Sequence, residues 1–219
     1  MNLNTAGWAS RALTPLLRII RSSPNATVPV VAISEPINSE TAGLVNSDIA
    51  LVAKGTGATL AQVPDGTATG GNKRGTGATD WQKVRDSSTQ VASAINATIA
   101  GGSYNVASGT FNYAPTVGGG ERNLASSDYA TVAGGTSNTA SGTYSFVGGG
   151  ASNTASSNYS FIGGGQVNRA QTNTHATVCG GSTNTASGQK SFIGGGENNT
   201  NAGPRGVIIG GGQNSCDAS

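Results

Sequence analysis

The chain has 219 residues, 35 of them glycine; 10% are charged, 5% are aromatic, and the formal net charge is +2. Charge at well under the usual ~25%, with no basic cluster, leaves little for phosphate neutralisation, so no nucleic-acid partner is expected. The absence of a Gly-X-Y period excludes collagen, no apolar run reaches the ~18 residues of a membrane span, and Cys179 and Cys216 alone make no disulfide framework.

Residues 1–47 carry Trp8 and the apolar group Leu13, Leu16, Leu17, Ile19 and Ile20, punctuated by Pro15, Pro24, Pro29 and Pro36. A strand over Val28 to Ile33, interrupted at Pro29, is predicted. So little apolar content does not fold alone. The segment reads as an extended arm, with Trp8 and the Leu/Ile group as anchors on a partner protein or on mates within its own oligomer. Residues 48–89 read as a small strand-and-turn module with Gly55, Gly57, Gly66, Gly70 and Gly71 at turns. Arg74, Asp80, Trp81 and Arg85 are expected to form a structural collar where the next region begins.

Near Gln90 the composition shifts to Gly, Asn, Ser, Thr and Ala, and an internal repeat dominates 90–219. Its unit reads G-G-G-x-x-N-x-A-S-x-x-Y-S-F-V. The Asn slot falls at Gln90, Asn105, Asn123, Asn138, Asn153, Asn168, Asn184 and Asn199, in steps of 15, 18, 15, 15, 15, 16 and 15; Asn201 and Ala202 suggest a one-residue slip in the last copy. Glycine corners supply backbone angles that other residues resist, and Asn-x-Ala-Ser is turn-prone. Tyr129 to Val132, Tyr144 to Val147 and Tyr159 to Ile162 are β-prone, and no helical apolar stripe occurs. Each unit therefore suits one coil of a β-solenoid. Eight such coils rise about 40 Å at the ~4.8 Å spacing of paired strands.

Strand alternation puts Tyr144 and Phe146 on one face and Ser145 and Val147 on the other, so both faces carry apolar groups. So thin a solenoid is expected to leave one apolar stripe in water, and closing copies around an axis covers it. Ala125, Val132, Ala140, Phe146, Val147, Ala155, Phe161, Ile162 and Ile193 are the predicted shaft core and trimer interface.

No catalytic, cofactor or metal site is predicted. His175 has no second ligand at metal spacing and reads as a variant of the Tyr position. Cys179 stands where Ala133 does and reads as a small buried filler; Cys216 lies in the terminal tail without an assigned role. Gly55-Thr-Gly57 and Gly75-Thr-Gly77 lack the third glycine and the helix of a dinucleotide fingerprint. Asp65, Asp80 and Asp128 have no obvious partner for acid–base work.

The Asn-x-Ala-Ser coils resemble the head repeats of trimeric autotransporter adhesins, which implies a left-handed parallel β-roll and a homotrimer. The stretch Ile49 to Ala58, then Gln62 to Gly75, Asp80-Trp81-Gln82 and Gln90-Val91-Ala92-Ser93 is similar to a leader in bacteriophage tail-fibre and related virion fibre proteins. Together the resemblances span about residues 48–214. They imply an all-β trimeric shaft, docked on the virion through residues 1–47 and other virion proteins; the membrane-anchor segment expected of an autotransporter is not found in the sequence, and the scattered candidate residues lead to no expected enzyme activity. The second expectation is a binding head, in which Tyr129, Tyr144 and Tyr159 contact host-surface glycans. Where those tyrosines point separates the two: buried at the trimer axis they support the shaft, lining an outer groove they support binding.

Overall fold

Two-residue strands recur along most of the chain, one pair per repeat, because each repeat holds only two short runs able to extend between its glycine and Asn/Ser corners. The computed structural model describes residues 18–20, 30–32, 59–62, 64–109 and 113–217. Contacts divide the chain into two units, Met1–Ala50 and Leu51–Ser219. In the first, strands Arg18–Ile20 and Val30–Ala32 pair antiparallel, with Ile19 opposite Val31. The second strand starts just after Pro29, which has no N–H to give a ladder. Ile19 and Ile20 lie in this pair; Trp8, Leu13, Leu16 and Leu17 fall outside the described residues.

The second unit is a parallel β-solenoid of about nine turns, with no helix among the described residues. One sheet has 10 strands, from Thr59–Leu60 through Phe146–Val147 to Val207–Ile208; the other has 8, from Val106–Ala107 to Ser215–Cys216. A third line of single parallel bridges runs from Val84 through Ser103, Glu121 and Thr136 to Gly212. The register reproduces the repeat steps: Ala92 pairs with Ala107, Leu124 with Val106, Thr139 with Leu124 and Thr185 with Arg169. The slip expected at Asn201 does not occur. Asn201 pairs with Ala186 and enters the core in the Ala slot, because Asn199 already fills the Asn slot. Strands Thr59–Leu60 and Thr79–Asp80 pair in parallel and join Thr98–Ile99, so the stretch expected to be a separate module continues the same sheet.

In every strand from Thr79–Asp80 to Val207–Ile208 the second residue points inward. Ala125, Val132, Ala140, Val147, Ala155, Ile162 and Ile193 are all fully buried, stacked on their equivalents above and below. Alternating Ala and Val/Ile columns thus fill a single chain's core at close to one side chain per strand, and these seven predicted residues are shielded by their own chain rather than by copies. Phe146 and Phe161 are corrections to the predicted core: as first residues of their strands they face outward, Phe161 40% exposed.

Candidate functional site

The backbone of each coil turns at left-handed corners. One is a glycine: Gly150 has φ 82°, and a Cβ there would stand 2.0 Å from the Gly165 carbonyl oxygen of the next coil and 2.9 Å from Asn153 Nδ2. Without a side chain, that carbonyl and that amide can both come close. Two more corners per coil are not glycine. Tyr144 (φ 59°) and Ser152 (φ 57°) represent them, and their equivalents recur along the solenoid. Such residues cost roughly 1–2 kcal/mol each. In return the Tyr144 N–H donates to the Asp128 carbonyl of the preceding coil, and the Ser152 N–H to that of Thr136.

The Asn slot forms a buried spine. Asn138 Nδ2 donates to the Gly134 carbonyl of its own coil (3.0 Å) and the Gly150 carbonyl of the next (2.9 Å), while Oδ1 accepts the Asn153 N–H at 3.0 Å. Each amide therefore closes its own turn and ties it to a neighbour. The same pattern runs through Asn105, Asn123, Asn153, Asn168, Asn184 and Asn199, and Asn214 extends it to one further coil. At the other end the spine is capped by Gln82, not Gln90. Gln82 Oε1 accepts the Asn105 N–H, and Nε2 donates to the carbonyls of Gln90 and Asn105. Gln90 has the right backbone register, but its amide bonds Asp86 across the extra residues of this coil.

Beside Gln82 sits a charged plug. Asp80 occupies the inward slot that Ile99 and Val117 fill in later coils, and it is fully buried. Its Oδ2 accepts from Arg74 Nε at 2.8 Å and Arg85 Nη2 at 3.0 Å. Arg74 also donates to the Gly70 and Asn72 carbonyls, and Arg85 to those of Gln82 and Gln90. Burial lowers the Arg74 pKa, against the raising effect of Asp80. Three of the four expected collar residues thus close the N-terminal end of the apolar core; Trp81 points outward, 42% exposed.

The outer face of the 10-stranded sheet carries aromatic rows. Tyr113, Tyr129, Tyr144, Tyr159 and His175 stack face to face, at centroid separations of 6.3, 4.8, 5.3 and 4.9 Å and with interplanar angles of 10° or less. Phe146 and Phe161 stack in the next row at 5.4 Å. Tyr129, Tyr144 and Tyr159 are 45–52% exposed. His175 continues their column, in the Tyr place that the sequence assigned it. Lys190 and Arg205 hold the same left-handed corner in the two following coils. Two cysteine expectations are corrected. Cys179 is exposed, because it follows inward-facing Val178 and alternation turns it out. Cys216 stands in the Ala slot of the last described coil, half-buried and packed against the core. The left-handed Tyr corners escaped the sequence reading, since nothing in Tyr-Ser-Phe-Val signals a positive φ.

Among the described residues, no three His, Cys, Asp or Glu side chains converge as metal ligands. No family model matches the chain, and no curated protein matches it.

Proposed function

We propose that the chain is a structural fibre protein of a virion. Its arm, residues 1–47, attaches to other virion proteins, and its solenoid, as a homotrimer, extends toward the host surface. The observation that carries this reading is the unbroken spine from Gln82 to Asn214. It cross-links every coil to the next along one axis through the 18- and 16-residue coils alike, which gives a stiff spacer of roughly 45 Å at the strand spacing. The likeness of residues 48–214 to virion fibre leaders and adhesin repeats adds the setting.

The alternative, a glycan-binding head, draws on the exposure of Tyr129, Tyr144 and Tyr159. Sugars stack on the faces of aromatic rings. Here each face is covered by the next ring, which leaves edges and hydroxyls to solvent. The column therefore favours the structural reading.

The test has two parts. Light scattering on the purified chain is expected to give the mass of three copies, and antibody against the solenoid is expected to decorate filaments on intact virions. A single-copy mass, or virions that bind no antibody, would sink the proposal.

A further inference from the structure

The outer face of the 10-stranded sheet carries an uncovered aromatic patch between the outward threonines Thr116 and Thr131 on one side and Thr177 on the other. Tyr113, Tyr129, Tyr144, Tyr159 and Phe161 are each 40–52% exposed; farther along, Val207 and Ile209 are 60% and 77% exposed. With side chains of roughly 150–250 Å², the five rings present on the order of 500 Å² of largely apolar surface. That stands at the upper end of the roughly 300–600 Å² that is the largest patch on a typical monomer; Val207 and Ile209 add exposed apolar area three coils beyond Phe161, past Thr177 and Phe192. A standard interface takes about 800 Å² from each partner. The predicted interface residues Ala125, Val132, Ala140, Val147, Ala155, Ile162 and Ile193 cannot supply that area, being fully buried within their own chain.

We infer that this strip, centred on Tyr144 and Phe161, is the surface through which copies of this chain associate, side by side, parallel and in register. The inference rests on the proposed multi-chain fibre and names its contact face. Within the strip the rings advance one per coil in parallel register, Tyr129, Tyr144 and Tyr159 in one row and Phe146 and Phe161 in the next, with Thr131 and Thr177 at either end of the Phe row. A partner that covers it must advance by the same rise at each step, and a second copy does so by construction. Lys190 and Arg205 lie in the tyrosine slot beyond His175 and supply a charged rim. Parallel register also brings the exposed Cys179 of two copies, one coil beyond Phe161, to the same level.

The experiment compares the full chain with a Tyr144→Asn/Phe161→Thr variant. Both replacements copy what the solenoid already holds at equivalent places, Asn96 in the left-handed slot and Thr131 or Thr177 in the strand, so the coil keeps its own core. Sedimentation equilibrium should show a multi-copy wild type, with a variant at least tenfold weaker in association and unchanged in far-ultraviolet circular dichroism. In a Cys216→Ser background, a short bis-maleimide should join Cys179 to Cys179. A variant that associates as tightly as wild type overturns the strip and leaves the fibre reading standing; so does an associated wild type that gives no Cys179 cross-link. A wild type that stays a single copy overturns both.

Discussion

At the scale of single residues, the solenoid uses each side chain in a place set by hydrogen bonding rather than by apolar content alone. Asn153 shows the consequence. Replacing it with Ala removes the donors to the Gly149 and Gly165 carbonyls and the acceptor of the Asn168 N–H, all in the buried spine. Stranded polar groups cost about 1–3 kcal/mol each, so amide hydrogen exchange in the coils on both sides of Asn153 should quicken at least a hundredfold. Asn153→Asp should be worse, because a carboxylate oxygen would then face two carbonyls. Exchange as slow as in the wild type would show that the spine is ornament. The Ser145 hydroxyl gives the opposite sign. It is buried without a hydrogen-bond partner, in a slot where the preceding coil has Ala130 and the coil two further on has Ala176. Ser145→Ala should therefore stabilise by about 1 kcal/mol, read as a higher midpoint in guanidinium. Inward Val147 behaves conventionally: Val147→Asp buries an unpaired charge and should melt its own and adjacent coils.

At the scale of one coil, the two arms between sheets differ in tolerance. From Ile99 onward the distance from the Val/Ile strand to the Ala strand does not change: Val132 to Ala140, Val147 to Ala155, Ile162 to Ala170 and Val178 to Ala186 are each eight residues. This arm contains the glycine corner and the spine amide, whose three hydrogen bonds fix its length. The return arm is usually seven residues, as from Ala140 to Val147. It lengthens to eight from Ala170 to Val178, where Thr172 adds a left-handed turn, and to ten from Ala107 to Val117. All the irregularity of the described repeats after Gln90 thus leaves through one corner, consistent with loops that grow cheaply when their ends stay fixed. Two glycines inserted between Thr172 and Asn173 should leave the melting profile within a few degrees of wild type. The same pair between Ala151 and Ser152 should break the spine and unfold the flanking coils, as limited proteolysis would reveal. Equal damage from both insertions would remove the distinction between the arms.

At the scale of the whole solenoid, the repeat was legible because the spine demands one amide per coil at nearly constant spacing, so Asn105 to Asn199 stand out in the sequence alone. The inner column was partly legible for a similar reason: Ala155 sits between Thr154 and Ser156, and Val147 and Ile162 each precede a glycine. Facing was less so. Phe146 and Phe161 are as apolar as anything inside, and only the order of residues within a two-residue strand turns them out. Gln82 could not be found by register, because it reaches the spine from a coil with four extra residues on the otherwise invariant arm, through a longer side chain. The plug was half visible: Arg74, Asp80 and Arg85 looked like a collar, yet burial of Asp80 in a core slot follows only from its pairing with Ile99. Removing that carboxylate, as in Asp80→Ala, leaves two arginines buried and unpaired and should cost about 3–5 kcal/mol. The loss should appear as fraying of the first coils in hydrogen exchange while those near Asn184 stay protected, since repeat arrays open locally.

Salt provides the last check on how copies meet. The left-handed slot runs Asn96, Ala114, Tyr129, Tyr144, Tyr159, His175, Lys190 and Arg205, with no carboxylate in the row. Copies held parallel and in register place Lys190 near Lys190 and Arg205 near Arg205, so the aromatic contact forms against a local repulsion between like charges. Raising salt from about 0.1 to about 1 M shortens the screening length from roughly 10 to roughly 3 Å, which weakens that repulsion and leaves apolar burial intact. Association should tighten several-fold across this range, and a Lys190→Gln/Arg205→Gln variant should lose most of the dependence while binding at least as well at low salt. An antiparallel pairing would set these cations against Asn96 and Ala114 instead and would show no such gain. Association that weakens with salt would mean that attraction between opposite charges, rather than the tyrosine and phenylalanine rows, holds the copies together.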